Sequence, residues 1–369
     1  MNRENDRLSF IDVAKGIGIL MVIFGHILCK SQGLYCFIYS VHIPLFIILS
    51  GFFEKEHSDF RSYFYKTIRR LYLPFLAFVV IDYIAAYFLY DTPPKYVFVQ
   101  GVKAALGMER VFNQPIWFLF DLFVVKVFIQ LFHKIRNKKI MNLLLAVVMI
   151  SGVYYMYCCE FIEFTIRYIP INSVIPFMSY YIFGYFMKGS ITYIADIFEG
   201  RDKVAKFLMS VIMIHCLALL VPLSQLNGSS SMFGCEFGEN TTLYIVNTIL
   251  GSFGFIILSC LIASKKKSSN LHMLEFLGKH SVGFLVIHFY ITAHAINAAW
   301  GMINSLDAIH LPHIQCSTFA FTITICLTLV LCEIKIQDYV AQKRLRRRLA
   351  LIYRLVLKRR RTPVLSRRY

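Results

Sequence analysis

Charge is scarce in this chain, and charge of one sign is scarcer still. Only 16% of the 369 residues are Asp, Glu, Lys or Arg, and 21 acidic residues face 39 basic ones; soluble domains hold about 25% charged residues. The ten cysteines include no C-x2-C pair and no His/Cys spacing that would hold a metal, so no metal site is expected and the cysteines read as packing residues. Cys158, Cys159, Cys235 and Cys316 are placed near one membrane face, where pairing stays open. An internal repeat is absent, as is any fused catalytic domain. The net charge of +18 sits in short blocks between apolar runs and in the last 35 residues, with no aromatic-interleaved soluble domain to present it. Nucleic-acid binding is therefore disfavoured against membrane topology.

Apolar residues are abundant, at 57%. Taking about 20 of them as one crossing, ten spans are expected, near 9–29, 36–53, 71–90, 115–133, 140–158, 170–187, 204–222, 243–264, 280–299 and 314–333. The first is too long and too charged for a signal h-region, and no small-residue cleavage site follows, so it is expected to be retained. With the N-terminus inside, the inner segments carry Lys55 to Arg70, Lys134 to Lys139, Lys188 to Lys206 and Lys265 to Lys279. The outer ones hold only Lys30, Lys95, Lys103, Arg110 and Arg167. That alternation obeys the positive-inside rule. The fold expected is all-α: a polytopic membrane helix bundle with both termini cytoplasmic, a transmembrane domain over 1–334 and a basic tail over 335–369. The tail packs 13 Lys/Arg into 35 residues. Leu345, Leu349, Ile352 and Leu355 recur there at helical spacing, as in a helix lying on the inner leaflet.

The first span, Phe10 to His26, is interrupted by Asp12, Lys15 and His26. Eleven steps of 100° bring Lys15 and His26 to one face, and Asp12 keeps to the same side. Along the axis Lys15 and His26 are about 16 Å apart, so one stripe of ionisable groups runs from one surface past the midplane. Such groups face a bundle interior or a water-filled cavity. Gly16, Gly18 and Gly25 offer close approach to neighbouring helices or a ligand.

A cation, ten residues and then a histidine on the first membrane helix resembles the signature of the acyltransferase family 3 proteins, bacterial membrane enzymes that acylate hydroxyls of sugars and other acceptors. Lys15 stands where that family more often has arginine, keeping the charge without the bidentate fork. Y-S-V-H-I-P-L-F-I-I-L-S-G-F-F (Tyr39 to Phe53) resembles its second helix, especially in the surface-polysaccharide or fucose O-acetyltransferase branch. K-T-I-R-R-L-Y-L-P (Lys66 to Pro74), Q-P-I-W-F-L (Gln114 to Leu119) and F-L-G-K-H-S-V-G-F-L-V-I-H (Phe276 to His288) resemble further family stretches.

The resemblance implies acyl-coenzyme A, acetyl by default, as donor substrate with no permanently bound cofactor. It also implies a saccharide or glycolipid acceptor, membrane lipids as surroundings and residence in the bacterial inner membrane. His26 is the expected general base, since neutral imidazole takes a hydroxyl proton at ordinary pH; Asp12 and Lys15 complete the expected catalytic stripe. Lys15 suits either a donor phosphate or a pair with Asp12. Lys66, Arg69 and Arg70 suit either donor phosphates or a positive-inside cluster. His42 is placed at the acceptor or as a restraint on a preceding outer loop, with Pro44 suited to the first turn of the second span. Trp117 either stacks on a sugar ring or anchors at the interface, and His288 is placed mid-membrane with its role open. Ser50 and Gly51 read as helix packing, and Asp121 and Lys126 as lining one cavity. The outer stretch 223–242, rich in Gly, Ser and Asn and without Lys or Arg, reads first as a solvated loop, second as a lid or acceptor contact. A transporter or flippase of a lipid-linked saccharide is the other functional class the charged stripe would fit.

Overall fold

The computed structural model describes residues 3–27, 32–89, 93–110, 114–159, 169–265 and 269–290. The expected tenth span, the end of the ninth and the basic tail lie outside them. In chain order the helices are α1 (Arg3–Ile27), α2 (Gln32–Tyr39), α3 (His42–Phe52), α4 (Phe60–Thr67), α5 (Leu73–Leu89) and α6 (Pro94–Ala105). They continue with α7 (Trp117–Phe132), α8 (Lys138–Cys158), α9 (Pro170–Phe186), α10 (Lys188–Glu199) and α11 (Lys203–Asn227), then α12 (Thr241–Ser264), α13 (Ser269–Lys279) and α14 (Ser281–Tyr290). The architecture is all-helical, and an isolated bridge between Ser231 and Glu236 is its extended pairing among the described residues.

Among the described residues six stretches are long and apolar enough to cross a membrane: Ser9–His26, Gln32–Phe52, Phe60–Phe88, Lys138–Cys158, Lys203–Asn227 and Thr241–Ser264. The apolar helices α7 and α9 have 16 and 17 residues, or about 24–26 Å, just short of the ~30 Å hydrocarbon core. The periphery agrees with a lipid surround. Helix α11 exposes Val204, Phe207, Leu208, Ile214, Leu219 and Leu226, a face that water would penalise. Polar caps mark where several helices begin. Asp59, Asn137, Asp202 and Asn240 each accept hydrogen bonds from the first turns of α4, α8, α11 and α12, satisfying donors that have no partner inside the helix.

Two departures from the expected spans follow from local chemistry. The second span is two helices broken at Ser40 and Val41, where the Ser40 hydroxyl returns to the Cys36 carbonyl at 2.7 Å. His42 therefore opens α3 after the short helix α2, and not after a loop; Pro44 does fall in the first turn of α3. The third runs as continuous helix from Phe60, with a π-helical turn at Ile68–Tyr72. Pro74, without an N–H to donate, stands four residues after Arg70 and so cannot close the ordinary α bond there. A widened turn accommodates that loss.

Helix α1 packs against α13, α12, α3, α14 and α2, which makes it the hub of the bundle. Glycines set the closest crossings. A methyl group at Gly16 would overlap the Leu274 carbonyl, and one at Gly278 the Asp12 carbonyl, so α1 and α13 meet backbone to backbone. Gly51 against the Tyr181 carbonyl and Gly184 against the Ile48 carbonyl do the same for α3 and α9. These are the small-residue contacts that allow membrane helices to approach. Ser50 satisfies itself on the Phe46 carbonyl at 2.7 Å, in keeping with a packing role.

Candidate active site

Helix α1 is unbroken from Arg3 to Ile27, so Asp12, Lys15 and His26 do share one stripe, and all three are half-buried in a helix whose other faces are largely buried. The two ends of the stripe open on different surroundings.

At the His26 end lies a cavity of about 300 Å³ lined by Val22, His26, Tyr35, Tyr39, His42, Ile43, Pro115, Trp117, Ser231, Met232, Phe233, Glu236 and Leu285. His26, His42 and Trp117, three of the residues singled out from sequence, thus meet in one space. His288 joins them, its ring centroid 5.2 Å from that of His26. The His42 Nδ1 is 2.7 Å from the Ile38 carbonyl and the His288 Nδ1 is 2.9 Å from the Phe284 carbonyl. A carbonyl only accepts, so each Nδ1 carries a proton, and the neutral tautomer turns Nε2 into the acceptor. Tyr39 contacts the rings of both His26 and His42, at 6.3 and 4.8 Å between centroids. Among the described residues no group of His, Cys, Asp or Glu is arranged to hold a metal.

The 223–242 stretch is not a solvated loop. Helix α11 continues to Asn227, and Met232, Phe233, Cys235 and Phe237 after it are buried. Asn227 organises the turn: its Nδ2 donates to the Phe237 carbonyl at 2.9 Å, its Oδ1 accepts from Asn240 N at 3.0 Å, and its carbonyl accepts from Glu239 N at 2.8 Å. Phe233 then stacks on Trp117, centroids 5.3 Å apart and planes 23° from parallel. Trp117 is 5% exposed and so is a cavity wall, not an interface anchor. Sequence reading missed Tyr35 and Phe233; for Glu236, which lines this cavity, the signal was the second reading of the loop, as a lid or acceptor contact with acidic residues and no Lys or Arg.

The Lys15 end is polar. Lys15 Nζ lies 5.0 Å from the centre of the Phe53 ring, and Asp12, Arg70 and Lys126 are near enough for their charges to act on it. Asp12 lies 4.0 Å from Lys279 of α13, and the charges of both Lys15 and Lys279 act on it, that of Lys15 the more strongly. Lys66, Arg69 and Arg70 are all exposed, while Tyr63, Thr67 and Leu71 take the buried side of that helix; of the three cations, Arg70 is the one whose charge reaches Lys15.

Beside this cluster is a buried network that sequence reading did not anticipate. Glu54, 2% exposed, accepts from Tyr181 and Gln130 and lies 3.4 Å from Lys126 Nζ and 3.5 Å from His133 Nε2. Gln130 also donates to the Lys55 carbonyl at 2.6 Å. Burial alone would raise the Glu54 carboxyl, but His133, Lys126, Tyr181 and Gln130 outweigh it and hold the group below its ordinary 4.5. Asp121 and Lys126, expected to line one cavity, are engaged apart: Asp121 is fully buried and accepts from Ser173 at 2.7 Å, whereas Lys126 belongs to Glu54. Five helical steps turn them about 140° from each other, which sends them to different neighbours.

A larger cavity, about 470 Å³, is lined by Ser9, Lys206, His272 and Glu275 among others. It contains neither the stripe histidine nor the stacked aromatic wall, so the chemistry favours the smaller one.

Helices of membrane-crossing length around a half-buried charged stripe, with imidazoles converging on an aromatic-walled cavity, define a multi-pass membrane protein with the means to handle protons inside the bundle. The family model described as an acyltransferase domain, family 3, matches residues 8–332. The chain belongs to that family and is a membrane acyltransferase. Among curated proteins and among solved structures nothing matches it.

Proposed function

We propose that the protein moves an acyl group, acetyl by default, from acyl-coenzyme A to a hydroxyl of a cell-surface or lipid-linked saccharide, with His26 as general base. The observation that carries this reading is the position of His26 in an aromatic-walled cavity, on one helix stripe with Lys15 about 16 Å away. The neutral imidazole takes the acceptor hydroxyl proton as the oxygen attacks the thioester carbonyl. Collapse of the tetrahedral intermediate expels the coenzyme A thiolate, which recovers that proton from the imidazolium. Atoms and charge balance without a further reagent.

The donor's anionic nucleotide end belongs with Lys15, Arg70 and Lys126, where three cations converge and a phosphate relieves their mutual repulsion. Lys66 and Arg69, exposed on the same helix, serve as an outer part of that field. The pantetheine arm then runs along the stripe to His26. His42 presents Nε2 as an acceptor for a second acceptor hydroxyl, and Trp117 offers a flat face to a sugar ring. In this reading the Lys15 end faces the cytoplasmic side of a bacterial inner membrane and the His26 end the outside, and the alternation of basic loops supports that orientation.

The test is mass spectrometry of surface glycans from cells with and without the gene. A shift by one acyl group supports the proposal. A change in glycan amount without a change in mass contradicts it and is the outcome a flippase would produce.

A further inference from the structure

We infer that Glu236, carried by the loop that roofs the His26 cavity, selects the acceptor: it admits a neutral or amino sugar and rejects one bearing a carboxylate. This rests on the acyl-transfer reading for the identity of the cavity, and on separate observations for the role of the residue.

The loop is a built object. Ser231 and Glu236 exchange both backbone hydrogen bonds, at 2.7 and 3.0 Å, so the backbone of Glu236 is pinned within a tight antiparallel turn. Gly238 at φ +80° closes that turn where a methyl group would overlap Asn227, a left-handed conformation that suits glycine. Asn227 ties the returning strand of the loop, at Phe237 and Asn240, to the end of α11. Phe233, three residues before Glu236, is pressed flat on Trp117. The backbone that brings Glu236 to the cavity lining therefore has a defined position.

Its surroundings give it a discriminating effect. Among the described residues lining the cavity Glu236 is the sole carboxylate, and none is Lys or Arg. The remaining lining is aromatic, aliphatic or neutral polar, and includes Tyr35 and Tyr39, stacked 3.9 Å apart, and Phe233. Flat aromatic walls accept the C–H faces of a pyranose, and a carboxylate accepts hydrogen bonds from neighbouring hydroxyls or from an ammonium. A uronate or sialate in the same space would set two negative charges together with no Lys or Arg on the lining to compensate and only neutral imidazoles beside them, and like charges in a partly desolvated site are strongly disfavoured.

The experiment uses the full-length protein in lipid nanodiscs with three probes that share one ring: methyl glucoside, methyl glucosaminide and methyl glucuronide. Saturation-transfer NMR reads binding at millimolar concentration, and release of free thiol from acetyl-coenzyme A reads transfer. The parent should bind glucosaminide and glucoside ahead of glucuronide. Glu236→Gln should raise glucuronide binding relative to glucoside by about tenfold, as expected for removing one like-charge contact, and should lower glucosaminide. Phe233→Leu should weaken all three and leave their order unchanged. The inference is overturned if the parent binds glucuronide as well as glucoside, if Glu236→Gln weakens every probe alike, as a residue that merely orients His26 would, or if no probe binds. Binding in the expected order without any transfer would instead overturn the acyl-transfer reading and leave the selecting role of Glu236 standing. Transfer to glucuronide by the parent would do the reverse.

Discussion

The two ends of α1 solve opposite problems with the same helix. Around Lys15 the protein gathers charge: Asp12, Arg70 and Lys126 act on it, and Glu54 binds Lys126 in a network drawn from α7 and α9. Around His26 it gathers rings: Tyr39, Trp117, Phe233 and two further imidazoles, with Glu236 as the sole carboxylate among the described lining residues. The first arrangement suits holding a multiply charged molecule, the second suits moving one proton next to an uncharged carbon skeleton. A donor with an anionic end and a reactive neutral end would span both, which is why a continuous helix between them matters more than either end alone.

The sharpest way to break the comparison is to show that the ring-lined end does not do chemistry. Replacing His26 by Gln should lower transfer by about 10²–10⁴-fold, the usual effect of losing a general base, while leaving donor binding in place. Next comes the close packing of the bundle. A methyl at Gly51 would overlap the Tyr181 carbonyl, so Gly51→Ala should destabilise the bundle by roughly 1–3 kcal/mol, read as a lowered unfolding temperature in detergent. The same substitution at Gly189, where an added methyl meets nothing within 4 Å, should cost nothing measurable.

The charged end carries its own pH signature. Because the folded Glu54 carboxyl titrates below 4.5, its contribution to stability is present at and above 4.5 and is lost as pH falls through the folded value. Thermal unfolding of the parent should therefore drop more steeply on acidification below 4.5 than that of Glu54→Gln, which has no such group to protonate. Equal slopes would remove Glu54 as a structural charge. The smallest expected effect is at Lys66. Lys66→Arg should retain donor affinity and Lys66→Ala should weaken it, by less than Lys15→Ala does, because Lys66 is exposed and screened. Equal affinity in both alanine variants would remove both residues from the donor site.

What was legible beforehand was whatever lies along one helix. The stripe of Asp12, Lys15 and His26 follows from 3.6-residue periodicity, and the packing roles of Gly16 and Gly51 follow from residue size. His42, Trp117 and His288 were legible through resemblance and do converge on His26. What required the fold is built from distant pieces. Glu54 meets Gln130 and Tyr181 from two other helices, with no local pattern to announce it. The roof loop looked solvated because its polar residues outnumber its apolar ones; its order comes from Asn227 and from Phe233 finding Trp117. Asp121 and Lys126, five residues apart and so poorly placed to pair, were read as lining one cavity because membrane burial makes any charge conspicuous, whereas the fold sends one to Ser173 and the other to Glu54.

The central claim is that one helix carries a donor from its charged end to a base at its other end. The most direct measurement pairs acetyl transfer with acetyl-coenzyme A binding on the same purified His26→Gln protein, with its unfolding temperature as a control. The account predicts donor affinity and stability like those of the parent, with transfer reduced by at least about a hundredfold. Transfer within a few-fold of the parent would make His26 a packing residue and move the base to His42 or His288.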